Sequence, residues 1–242
     1  MDKVSCLRIQ SRLAMALALM MPVLALTAKA EVRSISVANC GVPGQNSGEG
    51  RERFERDVLR AHPRYVLIYF GMNDAVNETK FLSEPQFLEN IGWMVQAARA
   101  HQIVPVLATI QHVDAVRVLQ RHKASVYGAE GPNGKIDRYN KALRNLAQQQ
   151  NVSVADLSGA LDAAGGATSA ISMDGVHLTG AGYGLLASTF FHAILPAPQL
   201  GDSIVCFGDS LTYGVPLRSA DHDSDQTYPA QLERMLNRTS AK

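Results

Sequence analysis

Ser210 lies in the stretch SIVCFGDSLTYG (203–214), where a short apolar run passes through Gly208 and Asp209 to a hydroxyl. A serine hydroxyl alone is a poor nucleophile; it needs an adjacent base and a place for negative charge to go. Serines after strands more often cap helices or close turns, so the remaining loops must decide its use. SMDGVHLTGAGYG (172–184) supplies Asp174 and His177, three residues apart. Within one turn such an aspartate can hold an imidazole tautomer and stabilise the imidazolium formed when the ring takes a serine proton. GMNDA (71–75) offers Asn73, an amide donor suited to an oxyanion, or an Asx turn. NCGVPGQNS (39–47) carries Gly41 and Gly44; glycines let a backbone N–H approach a ligand closely, or simply make a tight turn. The other six histidines, at 62, 101, 112, 122, 192 and 222, lack such a partner arrangement and read as surface or structural.

These loops follow apolar runs that read as strands: 34–39, 65–70, 103–110, 152–157 and 204–207. The run YVLIYF (65–70) is apolar throughout, as in strands buried on both sides. Between the runs lie stretches of helical period at 51–61, 84–101, 135–150, 180–195 and 227–237. In 84–101 the stripe is Phe87, Leu88, Ile91, Met94, Val95 and Ala98. Alternating strands and helices imply a mostly parallel sheet with helices on both faces. Ligands then bind beyond the carboxyl ends of the strands, where the four loops lie.

Taken together, the four pieces resemble the SGNH hydrolases, the GDSL family of esterases and lipases. The matching blocks are Gly208-Asp209-Ser210, Gly44 (with Gly41 as the alternative), Gly71-Met72-Asn73-Asp74 and Asp174-Gly175-Val176-His177. The resemblance implies a three-layer α/β/α, flavodoxin-like fold with a five-stranded parallel sheet. It implies Ser210 as nucleophile, His177 as base and then acid, and Asp174 orienting it. The oxyanion hole would be the N–H groups of Ser210 and Gly44 and the Asn73 side chain. It implies ester hydrolysis through an acyl-enzyme, with no metal and no cofactor. In that family the serine block comes first; here it comes last, which reads as a circular permutation, with the old termini joined through residues 197–202. Short acyl or acetyl esters, on small-molecule, carbohydrate or lipid alcohols, are the expected substrates. A thioesterase or lysophospholipase on the same scaffold, or a non-catalytic carbohydrate- or acyl-binding module, are the alternatives.

Hydrophobic residues make up 46% of the 242-residue chain and charged ones 19%, enough apolar surface for one sizeable core and against disorder. The net charge of +1 has no basic cluster outside the N-terminus, which excludes a nucleic-acid partner. Lys3, Arg8 and Arg12 precede the apolar run 13–28, and Ala28-Lys29-Ala30 follows as a cleavage site. The run contains Pro22 and falls short of the about 20 residues that span a bilayer. Residues 1–30 therefore read as a signal peptide and 31–242 as one exported domain, periplasmic or extracellular, without a membrane anchor; oligomeric state is unspecified. Cys40 and Cys206, each in or at the end of a strand, are expected as two buried thiols. Asp221, Asp223 and Asp225 imitate the start of a calcium loop, but Gln226 and Leu232 stand where it needs glycine and glutamate. The long segment 111–134 is expected to form a short helical lid.

Overall fold

A computed structural model describes residues 34–220 and 223–239. Five strands, β1 (Ser36–Gly41), β2 (Tyr65–Tyr69), β3 (Val104–Ala108), β4 (Ser153–Ala155) and β5 (Ser203–Gly208), form one sheet in the order β1-β5-β2-β3-β4. Every pairing is parallel. β5, last of the five in the chain, is an inner strand, and its end, Gly208, stands in register with Gly41 on one side and Tyr69 on the other.

The helices are α1 (Ser47–Asp57), α2 (Met72–Val76), α3 (Glu84–Ala100), α4 (Ala115–Leu119), α5 (Gly131–Gln150), α6 (Leu157–Ala163), α7 (Gly180–Ala193), α8 (Ser210–Tyr213) and α9 (Tyr228–Thr239). Capping boxes start α1 (Asn46 with Glu49) and α3 (Ser83 with Gln86), satisfying N–H groups that a helix start leaves open. α1 thus begins four residues before the apolar period of 51–61 does, because the cap and not the stripe sets its start. The expected stripe of α3 is buried except Leu88, which is half-buried.

Two helical layers sandwich the sheet. Successive strand residues face opposite ways: Phe207 meets Phe54 of α1 edge-on at 5.3 Å, while Cys206 faces Tyr228 of α9. α3 and α5 extend the α1 layer, and α6 and α7 extend the α9 layer. Cys206, held between two strands, is a free buried thiol. The expectation for Cys40 is corrected: it belongs to a disulfide whose other half lies outside the described residues.

The exposed edge of β1 is capped by side chains, one way of blocking edge-to-edge pairing. Asn237 of α9 accepts from Ile35 N and donates to Ile35 O, both at 2.9 Å, and Glu233 accepts from Val37 N at 3.2 Å. The segment 111–134 is a short helix (α4), a 3-10 run over 124–130 and the first turn of α5. Its Tyr127 is buried, with its hydroxyl on Val76 O, so the segment is packed down rather than loose. Among the described residues no helix is long and apolar enough to cross a membrane; residues 1–30 lie outside them.

Candidate active site

Ser210 is the first residue of α8, directly after β5 and its Gly208-Asp209 step. Two close approaches set its height. A Cβ on Gly41 would fall 2.1 Å from Tyr213 N, and one on Gly208 would fall 2.4 Å from Tyr69 O. Only glycine lets α8 lie on the end of β1 while β5 passes β2. As the first helical residue, Ser210 has an N–H with no intrahelical acceptor. Asp209 caps α8 by accepting from Leu211 N at 2.9 Å.

The base side is a tight turn. His177 Nδ1 lies 2.8 Å from Asp174 Oδ2, and His177 Nε2 lies 3.0 Å from Ser210 Oγ. Asp174 Oδ1 also accepts from the backbone N–H groups of Val176 (2.9 Å) and His177 (2.7 Å). Burial works against the Asp174 charge, but these bonds and the imidazole hold its carboxyl well below the usual carboxylate range. An anchored carboxylate leaves Nδ1 protonated and Nε2 free to accept the serine proton. Ser172 and Met173 close the turn by donating to His177 O.

Asn73 sits in α2 and joins three loops: its amide donates to Gln45 O (3.0 Å) and to Asp209 Oδ2 (3.1 Å). Both amide hydrogens are engaged, so an oxyanion would have to share one of them. Gly44 lies in the exposed β1–α1 loop with φ +78° and open space above it, unlike the packed Gly41. Burial pushes Asp209 up to about 7 and Asp74 up to about 6. Asp74 accepts from the Ser47 N–H (3.1 Å) and hydroxyl (2.5 Å), tying α2 to the start of α1.

Sequence reasoning missed Arg53. Buried on α1, it donates to Cys40 O (2.9 Å), Gly208 O (2.8 Å), Gln45 Oε1 (2.6 Å) and Asp57 (2.9 Å), and lies 4.1 Å from the Phe207 ring centroid. It thereby clamps the ends of β1 and β5 together. The signal was present in RERFERD: an Arg53–Asp57 pair at i,i+4, flanking Phe54 of the apolar stripe. His112, read as lacking partners, lies between Asp137 (2.8 Å) and Asp162 (3.1 Å). Its partners are distant in sequence and carry no local signal. Of the imitation calcium loop, Asp221 lies outside the described residues, Asp223 accepts from Arg218 and Asp225 approaches Arg234. Among the described residues no group of three or more His, Cys, Asp or Glu side chains could hold a metal. A cavity of about 1000 Å³ runs along the open edge of β1, lined by Val37, Asn39, Arg56, Tyr213 and Arg218 among others; Ser210, His177 and Asp174 do not line it.

The model of the GDSL-like lipase/acylhydrolase family matches residues 20–185, more than half of the chain. The chain belongs to that family. The match ends before the serine stretch 203–214. This family member is 30% identical over 137 residues to the uncharacterized lipoprotein YqeF of Bacillus subtilis, and 29% identical over 132 residues to the isoamyl acetate-hydrolyzing esterase of Saccharomyces cerevisiae. Each alignment takes in 52% of this chain and 56% of the relative, so the chain spans about half the length of these curated relatives. Among solved structures, a lipase/acylhydrolase from Enterococcus faecalis aligns with TM-score 0.53 at 26% identity, covering 62% of this chain and 70% of that one. A variant of an acetyl-xylooligosaccharide esterase from a Geobacillus aligns with TM-score 0.54 at 19% identity, covering 64% and 70%, a likeness of fold.

Proposed function

We propose that the chain is a serine ester hydrolase working through an acyl-enzyme. The observation that carries this is the unbroken line of hydrogen bonds Asp174–His177–Ser210 at the carboxyl end of the sheet. Ser210 Oγ attacks the ester carbonyl while His177 Nε2 takes its proton, and Asp174 stabilises the resulting imidazolium. The carbonyl oxygen becomes an oxyanion, which the N–H groups of Ser210 and Gly44 and the Asn73 amide receive. His177 returns the proton to the leaving alcohol, giving an ester between Ser210 and the acyl group. Water, deprotonated by His177, then releases the acid and restores the serine.

Acetyl and other short acyl esters are the substrates this reading favours. Two relatives, one hydrolysing isoamyl acetate and one named for acetylated xylo-oligosaccharides, point the same way. The test is turnover of p-nitrophenyl esters across acyl lengths, with a serine-directed phosphonate. We expect the highest kcat/KM on acetate and a phosphonate adduct on Ser210; an adduct on another serine sinks the assignment.

Residues 31–242 form, on this reading, one circularly permuted domain. The sheet order β1-β5-β2-β3-β4 supports this: renumbered from β5, it becomes the 2-1-3-4-5 order expected of the family. The contact of Asn237 with Ile35 also supports it, because it brings together the ends that an unpermuted chain would join. Joining the segment after Asn237 to Ser34 and opening the chain within 195–202 should give a folded, active protein. Deleting 203–242 should abolish both; a truncated protein that stays folded and active overturns the permutation. Export with removal of residues 1–30 rests on the N-terminal pattern and is in keeping with a relative named as a lipoprotein. Mass spectrometry of the mature protein should place its first residue at Glu31.

A further inference from the structure

The turn that carries Asp174 and His177 is fastened from outside by a single stretch of chain, the β3–α4 connection with α4 and the residues just after it. Four consecutive carbonyls of the turn receive a donor from it. Arg117 Nη1 donates to Met173 O (3.3 Å), Arg121 Nη1 to Asp174 O (2.9 Å), Asp114 N to Gly175 O (2.9 Å) and Gln111 Nε2 to Val176 O (3.3 Å). The packing is tight: a Cβ on Gly175 would fall 2.9 Å from Asp114 Cβ.

The fastening stretch is itself immobilised by one face of α5. Asn133, Asp137 and Asn140, at i, i+4 and i+7, point the same way. Asn140 accepts from Ile110 N and donates to Ile110 O (2.8 and 2.7 Å), and Asn133 does the same for Val113 (2.9 and 3.0 Å). Asp137 bonds His112 between them. Each asparagine amide thus serves as a peptide group for a stretch that has left the sheet, as its buried backbone requires.

Of the four donors, Gln111 differs in kind. It is 1% exposed, whereas Arg117 and Arg121 reach in from the surface. Its Oε1 accepts from the hydroxyl of Tyr69. Tyr69 ends β2 in register with Gly208, two residues before Ser210. We propose that Gln111 is a positioning residue that sets the base turn relative to the nucleophile by bridging Val176 O to the end of β2. The proposal rests on the reading of His177 as the base. Val176 O can only accept, so the NH₂ must face it and the amide oxygen must face Tyr69. An ionised glutamate supplies acceptors alone and an aliphatic side chain neither. Angular errors in a base are costly, since a misplacement of about 1 Å can lower a rate roughly 10²-fold.

The test is Gln111→Glu, with Gln111→Leu and Tyr69→Phe beside it. Measurements are kcat and KM on p-nitrophenyl acetate, thermal unfolding, and the downfield proton resonance of the Asp174–His177 hydrogen bond. For Gln111→Leu, and for Gln111→Glu at a pH where the new carboxyl is ionised, we expect kcat to fall roughly 10- to 100-fold with KM nearly unchanged, and the resonance to move or broaden. Tyr69→Phe, which keeps the ring and removes only the hydroxyl, should do the same more weakly. A folded Gln111 variant with kcat within about twofold of wild type and an unmoved resonance overturns the proposal; if Gln111→Leu and Gln111→Glu both fail to fold, an unchanged Tyr69→Phe overturns it instead. The resonance needs no substrate. A wild-type protein without ester turnover therefore strikes at the hydrolase reading, while the resonance still reports on Gln111.

Discussion

The two halves of the candidate site are held in different ways. Ser210 is placed by backbone: an inner strand, two glycines that permit close approach, and a buried arginine on the strand-end carbonyls. Asp174 and His177 are placed by a turn outside the regular elements, whose carbonyls are tied to side chains and to one neighbouring N–H. Moving the serine means disturbing the sheet; moving the base means loosening a few contacts at its rim. Substitutions on the serine side should therefore cost stability, and those on the base side should cost rate.

The largest effect tests whether the halves form one unit. Ser210→Ala and His177→Ala should each lower kcat by roughly 10⁴- to 10⁶-fold, and the double variant should be little worse. Losses that multiply would mean that the two residues act separately. Next is the clamp on the serine side. Arg53→Met leaves Cys40 O, Gly208 O and the buried Asp57 short of a donor, and should lower stability by about 3–5 kcal/mol in urea unfolding; a loss under about 1 kcal/mol would mean that the backbone alone fixes Ser210. Asn73 lies between the halves. Asn73→Ala should lower kcat by roughly 10²- to 10³-fold with little change in KM.

The pH dependence of stability separates the carboxylates. Asp209, pushed from 3.8 up to about 7, keeps its proton longer in the folded than in the unfolded state. Between those values the folded protein binds more protons, so stability falls as pH rises through that window. Asp74, at about 6, acts in the same direction. Asp174 does the opposite: its contribution is in place above the unfolded value of 3.8 and is lost as pH falls through its depressed folded value. Asp209→Asn should therefore flatten the decline in urea midpoint between about pH 4 and pH 7. A decline as steep as wild type would assign it to other groups. The smallest effect is Thr179→Ala, which removes the cap of α7 beside the base turn, where Thr179 accepts from Gly182 N. It should cost about 1 kcal/mol with kcat nearly unchanged; a large fall in kcat would mean that the turn depends on α7 as much as on Gln111.

Much of this contrast could be read from the chain because each half carries a local pattern. IVCF, the Gly-Asp step and the spacing of Asp174 and His177 are short-range patterns; Ser210 lies directly after β5, whereas Asp174 and His177 lie in a turn between α6 and α7. Arg53 was harder to see, because a charged side chain in an amphipathic stretch reads as solvated until the strand-end carbonyls around it are known. Gln111 was harder still. Its two partners are 42 and 65 residues away, and nothing in its neighbourhood distinguishes it from any polar residue after a strand. The short helices α2, α6 and α8 also escaped, since 4–7 residues give too little period to register.

The position of β5 has a consequence for how the molecule comes into being. Ser36 pairs with Ser203, and among the described strands β1 has no neighbour but β5. During synthesis β1 emerges first of the five strands and waits for a partner that emerges last of them. β2, β3 and β4 can pair meanwhile, leaving the β5 side of β2 bare. Such long-range closure slows folding and leaves strand edges exposed in the growing chain. Ribosome-bound chains stalled before Ser203 should be sensitive to protease over 34–60, and chains long enough to expose α9 outside the ribosome should become resistant there in a single step.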